Sequence, residues 1–215
     1  MNSTECIEEI IKLNNQGVAL LGSGADQQAV SVLTTSLVTL QRLIGIYRPD
    51  ETSPDDNLSV ATPACSPLKN LRGSSYFIYN RPLSLEAKAK TNSDLQLYSA
   101  CTILNLAMTY HRQSKITCNN ICMRKAEAMY EMIITLLNTR FDDTSLFLRM
   151  IAVNNLSEIL YEQGKYDQYR EELQWLSSAI RQGGSKLKFF QQDDLNLLLL
   201  NVLVLLTPPQ AASAA

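Results

Sequence analysis

The sequence predicts an all-α chain of about three helical hairpins and a closing helix, interrupted by a Pro-rich insertion. Three observations predict it. Residues 153–176, VNNLSEILYEQGKYDQYREELQWL, carry apolar side chains at helical spacing (Val153, Leu156, Leu160, Tyr161), break at Gly164 and resume at Tyr169, Leu173 and Leu176. This is the pattern of two amphipathic helices joined by a turn. The pattern returns at 13–37, where Asn14-Asn15 aligns with Asn154-Asn155, Leu20 with Leu160, Gly24 with Gly164 and Leu33 with Leu173. A third, split copy spans 103–114 and 124–137, with Ala126 and Tyr130 where the first has Ala29 and Leu33. Such self-similarity marks a stacked array, because one hairpin cannot bury its apolar stripe without a neighbour.

Taken in order, the chain opens with helices at 4–23 and 26–46, separated by Ser23, Gly24 and Asp26, residues that break a helix or cap the next one. Residues 47–75 then hold four of the seven prolines (Pro49, Pro54, Pro63, Pro67) and little periodicity, which reads as a loop or disordered linker. The insertion as a whole covers 47–92. Its Ser53-Pro54, Thr62-Pro63 and Ser66-Pro67 pairs make Ser53, Thr62 and Ser66 candidates for proline-directed phosphorylation, though Ser and Pro are also ordinary loop residues.

Residues 75–85, SYFIYNRPLSL, are too apolar to stay solvated, and Pro82 bars a helix through their middle. Two placements follow: an extended strand in the inner groove of the array, acting as a built-in ligand, or a latch on the outside of the second helix. Helices follow at 93–114, with Ser93 and Gln96 as a capping box, at 121–138, from 146, and at 166–181, ending at Gly183-Gly184. The last, 191–206, precedes Pro208-Pro209. Its run DDLNLLLLNVLVLL is too short for the ~20 apolar residues that cross a bilayer and reads as a helix closing the array, with no membrane insertion.

Composition narrows the function. A chain of 215 residues, 46% hydrophobic, suits one medium domain. Its net charge of −2 gives no general attraction to phosphate backbones, so nucleic acid is not an expected partner. The acidic start MNSTECIEEIIK lacks the basic, apolar layout of a signal peptide. Five cysteines at irregular spacing argue against a disulfide framework. The expected compartment is cytoplasmic or nuclear. His111, Cys118 and Cys122 lie close in sequence, yet no CxxC pair accompanies them. No phosphate loop, dinucleotide fingerprint or metalloprotease helix occurs. We therefore expect no catalytic residue, metal or cofactor.

The three copies resemble the tetratricopeptide repeat (TPR). In that frame position 8, small in the family, is Gly17, Ala107 and Ser157; position 11 is Leu20, Tyr110 and Leu160; position 20 is Ala29, Ala126 and Tyr169; position 24 is Leu33, Tyr130 and Leu173. Tyr169 departs from the small residue usual at position 20, implying looser packing there, and the Pro that ends the family's repeat is missing throughout. Gly17 and Ala107 lie 90 residues apart, against a repeat of 34 residues; the insertion accounts for the excess. The resemblance implies a right-handed superhelical α-solenoid with a concave groove.

Position 6 is Asn15, Asn105 and Asn155. The resemblance places this position on the groove, and the pattern is similar to the NNL-type repeats of kinesin light chains, where asparagines grip peptide backbone. An amide offers both donors and an acceptor for that purpose. Asparagines that bond one another and fix the stacking register would be equally satisfied. Other groove positions give Cys101, Met108, His111, Arg112, Glu158 and Tyr161. The Lys and Asn that clamp a carboxylate in chaperone-binding members are replaced by Asn14 and Val18. The expected function is a non-catalytic scaffold that binds a protein or extended peptide in its groove. The alternative is a structural or assembly subunit whose groove is filled by its own 75–85 segment and which docks, or oligomerises, through its apolar last helix.

Overall fold

The computed structural model describes residues 3–46, 60–61, 79–86, 92–140, 142–183 and 192–206. It is all-helical: α1 (Ser3–Gly22), α2 (Asp26–Ile46), α3 (Asn92–Thr117), α4 (Asn120–Leu136), α5 (Asp143–Glu162), α6 (Tyr166–Gly183) and α7 (Gln192–Leu206). Two short strands, β1 (Val60–Ala61) and β2 (Ser84–Leu85), pair antiparallel, with Val60 opposite Leu85 and Ala61 opposite Ser84.

Each helix packs on the next in sequence, α2 on α3 included although the 79–86 segment lies between them along the chain. The odd-numbered helices also touch one another, α1 with α3, α3 with α5 and α5 with α7, and β2 lies on α1 and α3. The odd helices thus form one layer and carry the strand. This explains why α5 is buried almost all round, from Thr144 to Leu160, while α6 buries only a stripe including Tyr169, Leu173 and Leu176.

The turns follow from local chemistry. Gly24 and Gly164 take positive φ, 80° and 73°, the left-handed geometry that ends α1 and α5 without a Cβ penalty. The backbone around both closes alike: Ala25 N–H donates to Leu20 O and Lys165 N–H to Leu160 O, each at 2.9 Å. Asn119 caps α4 by accepting from the amides of Ile121 (2.8 Å) and Cys122 (3.4 Å). Asp142 caps α5 through Ser145 N at 2.9 Å.

Two boundaries differ from the sequence reading. The third helix runs to Thr117 and stops only where Cys118 takes a φ of 52°, because Lys115, Ile116 and Thr117 contain no helix breaker. The fifth starts at Asp143 because Asp142 is the cap. The side chain of Ser93, half of the expected capping box, lies outside the described residues, as do residues 47–59 and 62–78 of the insertion.

The repeat positions pack as small against large. A Cβ on Gly17 would sit 2.5 Å from Leu33 Cγ, so Leu33 packs on bare backbone where α1 crosses α2. Ala29, Ala107, Ala126, Leu33, Tyr130 and Leu173 are all fully buried. Tyr169 is 5% exposed, with its ring 5.4 Å from that of Tyr161. The main core runs from Ile10 in α1 to Leu198 and Val202 in α7, and it includes Tyr79, Leu83 and Leu85.

Candidate functional site: an asparagine ladder on a cis strand

Residues 79–86 cross α5, α3 and α1 in that order, held by three side-chain amides. Asn155 Oδ1 accepts the Tyr79 amide at 2.7 Å while its Nδ2 donates to Tyr79 O at 3.0 Å. Asn105 does the same for Leu83, at 2.8 Å in both directions. Asn15 does so for Leu85, at 2.8 and 2.9 Å. In an extended chain the N–H and C=O of one residue point to the same edge, and alternate residues share that edge. Positions 79, 83 and 85 have one parity, so a single strand edge meets all three amides.

The ladder is cross-braced. Asn14 donates to Leu83 O at 3.1 Å and to Asn15 Oδ1 at 3.3 Å, and accepts from Asn105 at 3.0 Å and Thr102 at 3.3 Å. Asn154 donates to Asn155 Oδ1 at 3.0 Å and accepts from Asn201 of α7 at 2.7 Å. Asn155 gives its second hydrogen to Tyr130 Oη at 3.1 Å. Bonds to strand backbone and bonds between asparagines of different helices therefore occur in the same set of amides. Every amide here except that of Asn15 is buried, where an unpaired polar group would cost about 1 to 3 kcal/mol.

The strand's side chains complete the seal. Tyr79, Leu83 and Leu85 are at most 2% exposed. Tyr79 meets Phe147 edge to face at 6.2 Å. Tyr98 donates its hydroxyl to Glu86 O, and Cys101 lies with Sγ 3.6 Å from Leu83 O. Burial pushes the Cys101 thiol far above its usual range, which keeps it a protonated, unreactive donor.

The remaining sequence-derived groove residues are placed elsewhere. Met108 is buried in the core. Arg112 pairs with Asp26 Oδ2 at 3.0 Å and with Leu21 O at 3.4 Å, tying α3 to the α1–α2 turn. Its guanidinium is pulled below its ordinary pKa by burial. Tyr161 is exposed at the α5–α6 turn, with its ring 5.8 Å from Tyr166. His111 and Glu158 are buried between α3, α4 and α5: His111 Nδ1 lies 3.5 Å from Tyr130 Oη, and its Nε2 3.7 Å from Glu158 Oε2. Glu158 Oε1 accepts from Lys115 at 2.9 Å, and Lys115 also bonds Glu162.

Burial, with help from the Lys115 charge, lowers the His111 pKa to about 3. The Glu158 carboxylate pulls the other way, but at 3.7 Å it does not repay taking an imidazolium out of water. Burial pushes the Tyr130 phenol well above its usual range, so it stays protonated. Since Tyr130 Oη accepts from Asn155, its own hydrogen is left for His111 Nδ1, which assigns the Nε2–H tautomer facing Glu158.

Two residues escaped the sequence reading. Asn201 repeats the geometry of Asn105: each donates to the first asparagine of the preceding Asn-Asn pair. Its signal was a lone polar residue inside the run LLLLNVLVLL. Tyr130 was assigned to packing alone, and nothing in its spacing marks the hydroxyl's partner. Ser53, Thr62 and Ser66 lie outside the described residues. Among the described residues, no three His, Cys, Asp or Glu side chains converge as metal ligands, and no helix is long and apolar enough to cross a membrane. Comparison with family models, with curated proteins and with solved structures returned no match.

Proposed function

We propose that the chain is a non-catalytic, TPR-like α-solenoid, a structural or assembly subunit whose concave groove is filled by its own residues 79–86. The observation that supports this reading most is the double pairing of Tyr79, Leu83 and Leu85 with Asn155, Asn105 and Asn15. An amide that reads both backbone groups of one residue recognises an extended chain, whatever its sequence. The occupant is also part of the main core, as a permanent element would be. On this reading the partner meets another surface, and α7 turns Leu199, Leu200 and Leu203 outward, at 39%, 49% and 68% exposure.

The second reading, a groove that receives a partner's extended peptide, is favoured by the same backbone-only recognition. Cutting the chain on both sides of the strand separates the two. Protease sites placed within 62–77 and 87–91 would leave the strand held without a covalent tie. A structural strand stays bound through gel filtration, and stripping it in mild denaturant unfolds the helices with it. A strand that leaves while the helices keep their melting temperature would contradict the structural reading and leave the groove open to partner peptides.

A further inference from the structure

The rung at Tyr79 does not end at Asn155. From its Nδ2 a chain of polar groups runs through Tyr130 Oη (3.1 Å), His111 Nδ1 (3.5 Å), His111 Nε2 to Glu158 (3.7 Å) and Glu158 to Lys115 (2.9 Å). Tyr130 and His111 are completely buried and Glu158 is 4% exposed, whereas Lys115 sits at the edge beside Glu162. A helical-repeat core needs none of these polar groups, and a buried polar group is costly unless its partners are in place.

We propose that Tyr130 is a positioning residue for the strand site: with its hydroxyl on His111, whose far nitrogen faces the Glu158–Lys115 pair across a 3.7 Å electrostatic contact, it fixes the amide of Asn155 in the one orientation that reads both backbone groups of Tyr79. The reason lies in the symmetry of an amide. Turned by 180° about its last torsion, Asn155 would present its Nδ2 to the Tyr79 N–H and its Oδ1 to the Tyr79 carbonyl, two repulsive pairs. Two neighbours forbid this. Asn154 donates to Oδ1 at 3.0 Å on one side, and Tyr130 Oη accepts from Nδ2 on the other. Tyr130 can take the acceptor role because its own hydrogen is engaged by a neutral imidazole. Lys115 holds the outer end: it belongs to α3 and bonds two glutamates of α5, so the orientation of the rung is coupled to how α3 and α5 sit together.

This inference rests on the strand occupying the groove as proposed above, and hydrogen exchange of backbone amides distinguishes the two. In the unaltered chain the Tyr79 amide should exchange as slowly as the core amides of α3 and α5; exchange at the rate of an unstructured peptide would overturn the strand reading itself. With Tyr79 protected, Tyr130→Phe keeps the ring and removes the acceptor. It should speed Tyr79 exchange on the order of tenfold relative to the Leu83 and Leu85 amides. Lys115→Gln, at the far end, should produce a smaller change in the same direction at the same amide. A uniform shift of all three amides, or none at Tyr79, would overturn the positioning role and reduce Tyr130 to packing.

Discussion

The two ends of the 79–86 strand are held by the same chemistry at different levels of preparation. At the Tyr79 end, Asn155 is fully buried and makes four hydrogen bonds, two to the strand and one each to Asn154 and Tyr130. At the Leu85 end, Asn15 is partly buried and makes three, of which the brace from Asn14 is long at 3.3 Å. An amide that can turn toward water when its partner leaves loses little; one walled in by Asn154 and Tyr130 leaves the Tyr79 backbone groups stranded. The difference teaches that a repeated residue at a repeated position need not carry repeated energy: its neighbours decide.

Removing the Tyr79 ring should have the largest effect. Tyr79→Ala empties a site at 0% exposure against Phe147 and should cost about 4 kcal/mol in urea unfolding. Next comes Asn155→Ala, which strands the Tyr79 N–H and C=O and should cost about 3 kcal/mol. Asn15→Ala should cost about 1 kcal/mol, because water can reach what it leaves. Equal losses for the two asparagine variants, measured under one set of conditions, would break the comparison between the ends.

A further effect concerns pH. The unfolded His111 ring takes up a proton near pH 6.5, whereas the folded ring stays neutral down to about 3. Between those values the unfolded state binds more protons, so this residue makes stability fall as the pH is lowered, with a slope of at most about 1.4 kcal/mol per pH unit. His111→Gln should flatten the fall between pH 6.5 and 5 when the two unfolding curves are compared. An unchanged slope would place a charged imidazole, protonated on both nitrogens, beside Tyr130.

Much of this was legible in the sequence. Helical spacing, Gly24 and Gly164 gave the hairpins because these signals are local, and the burial of Tyr79, Leu83 and Leu85 followed from aromatics and leucines beside Pro82, which no helix could accommodate. The asparagine register was visible because three repeats carry it. The contacts across the array were not. Pairing of a strand with side-chain amides needs only parity, so 79, 83 and 85 could not be told from their neighbours. His111 and Glu158 fell on groove positions in the repeat frame, yet their polar atoms found partners in Tyr130 and Lys115, residues whose spacing reports packing and solvation. Asn201 went unread because one polar residue in an apolar helix says nothing of which neighbour it meets.

The most direct test of the central claim is amide hydrogen exchange at Tyr79, Leu83 and Leu85 in the intact chain. A strand built into the core predicts that these three exchange only as slowly as the buried turns of α3 and α5, with Leu85 the fastest of the three. Exchange at the rate of a free peptide, alongside fully protected helices, would mean that α1, α3 and α5 do not hold the strand, and would contradict the account.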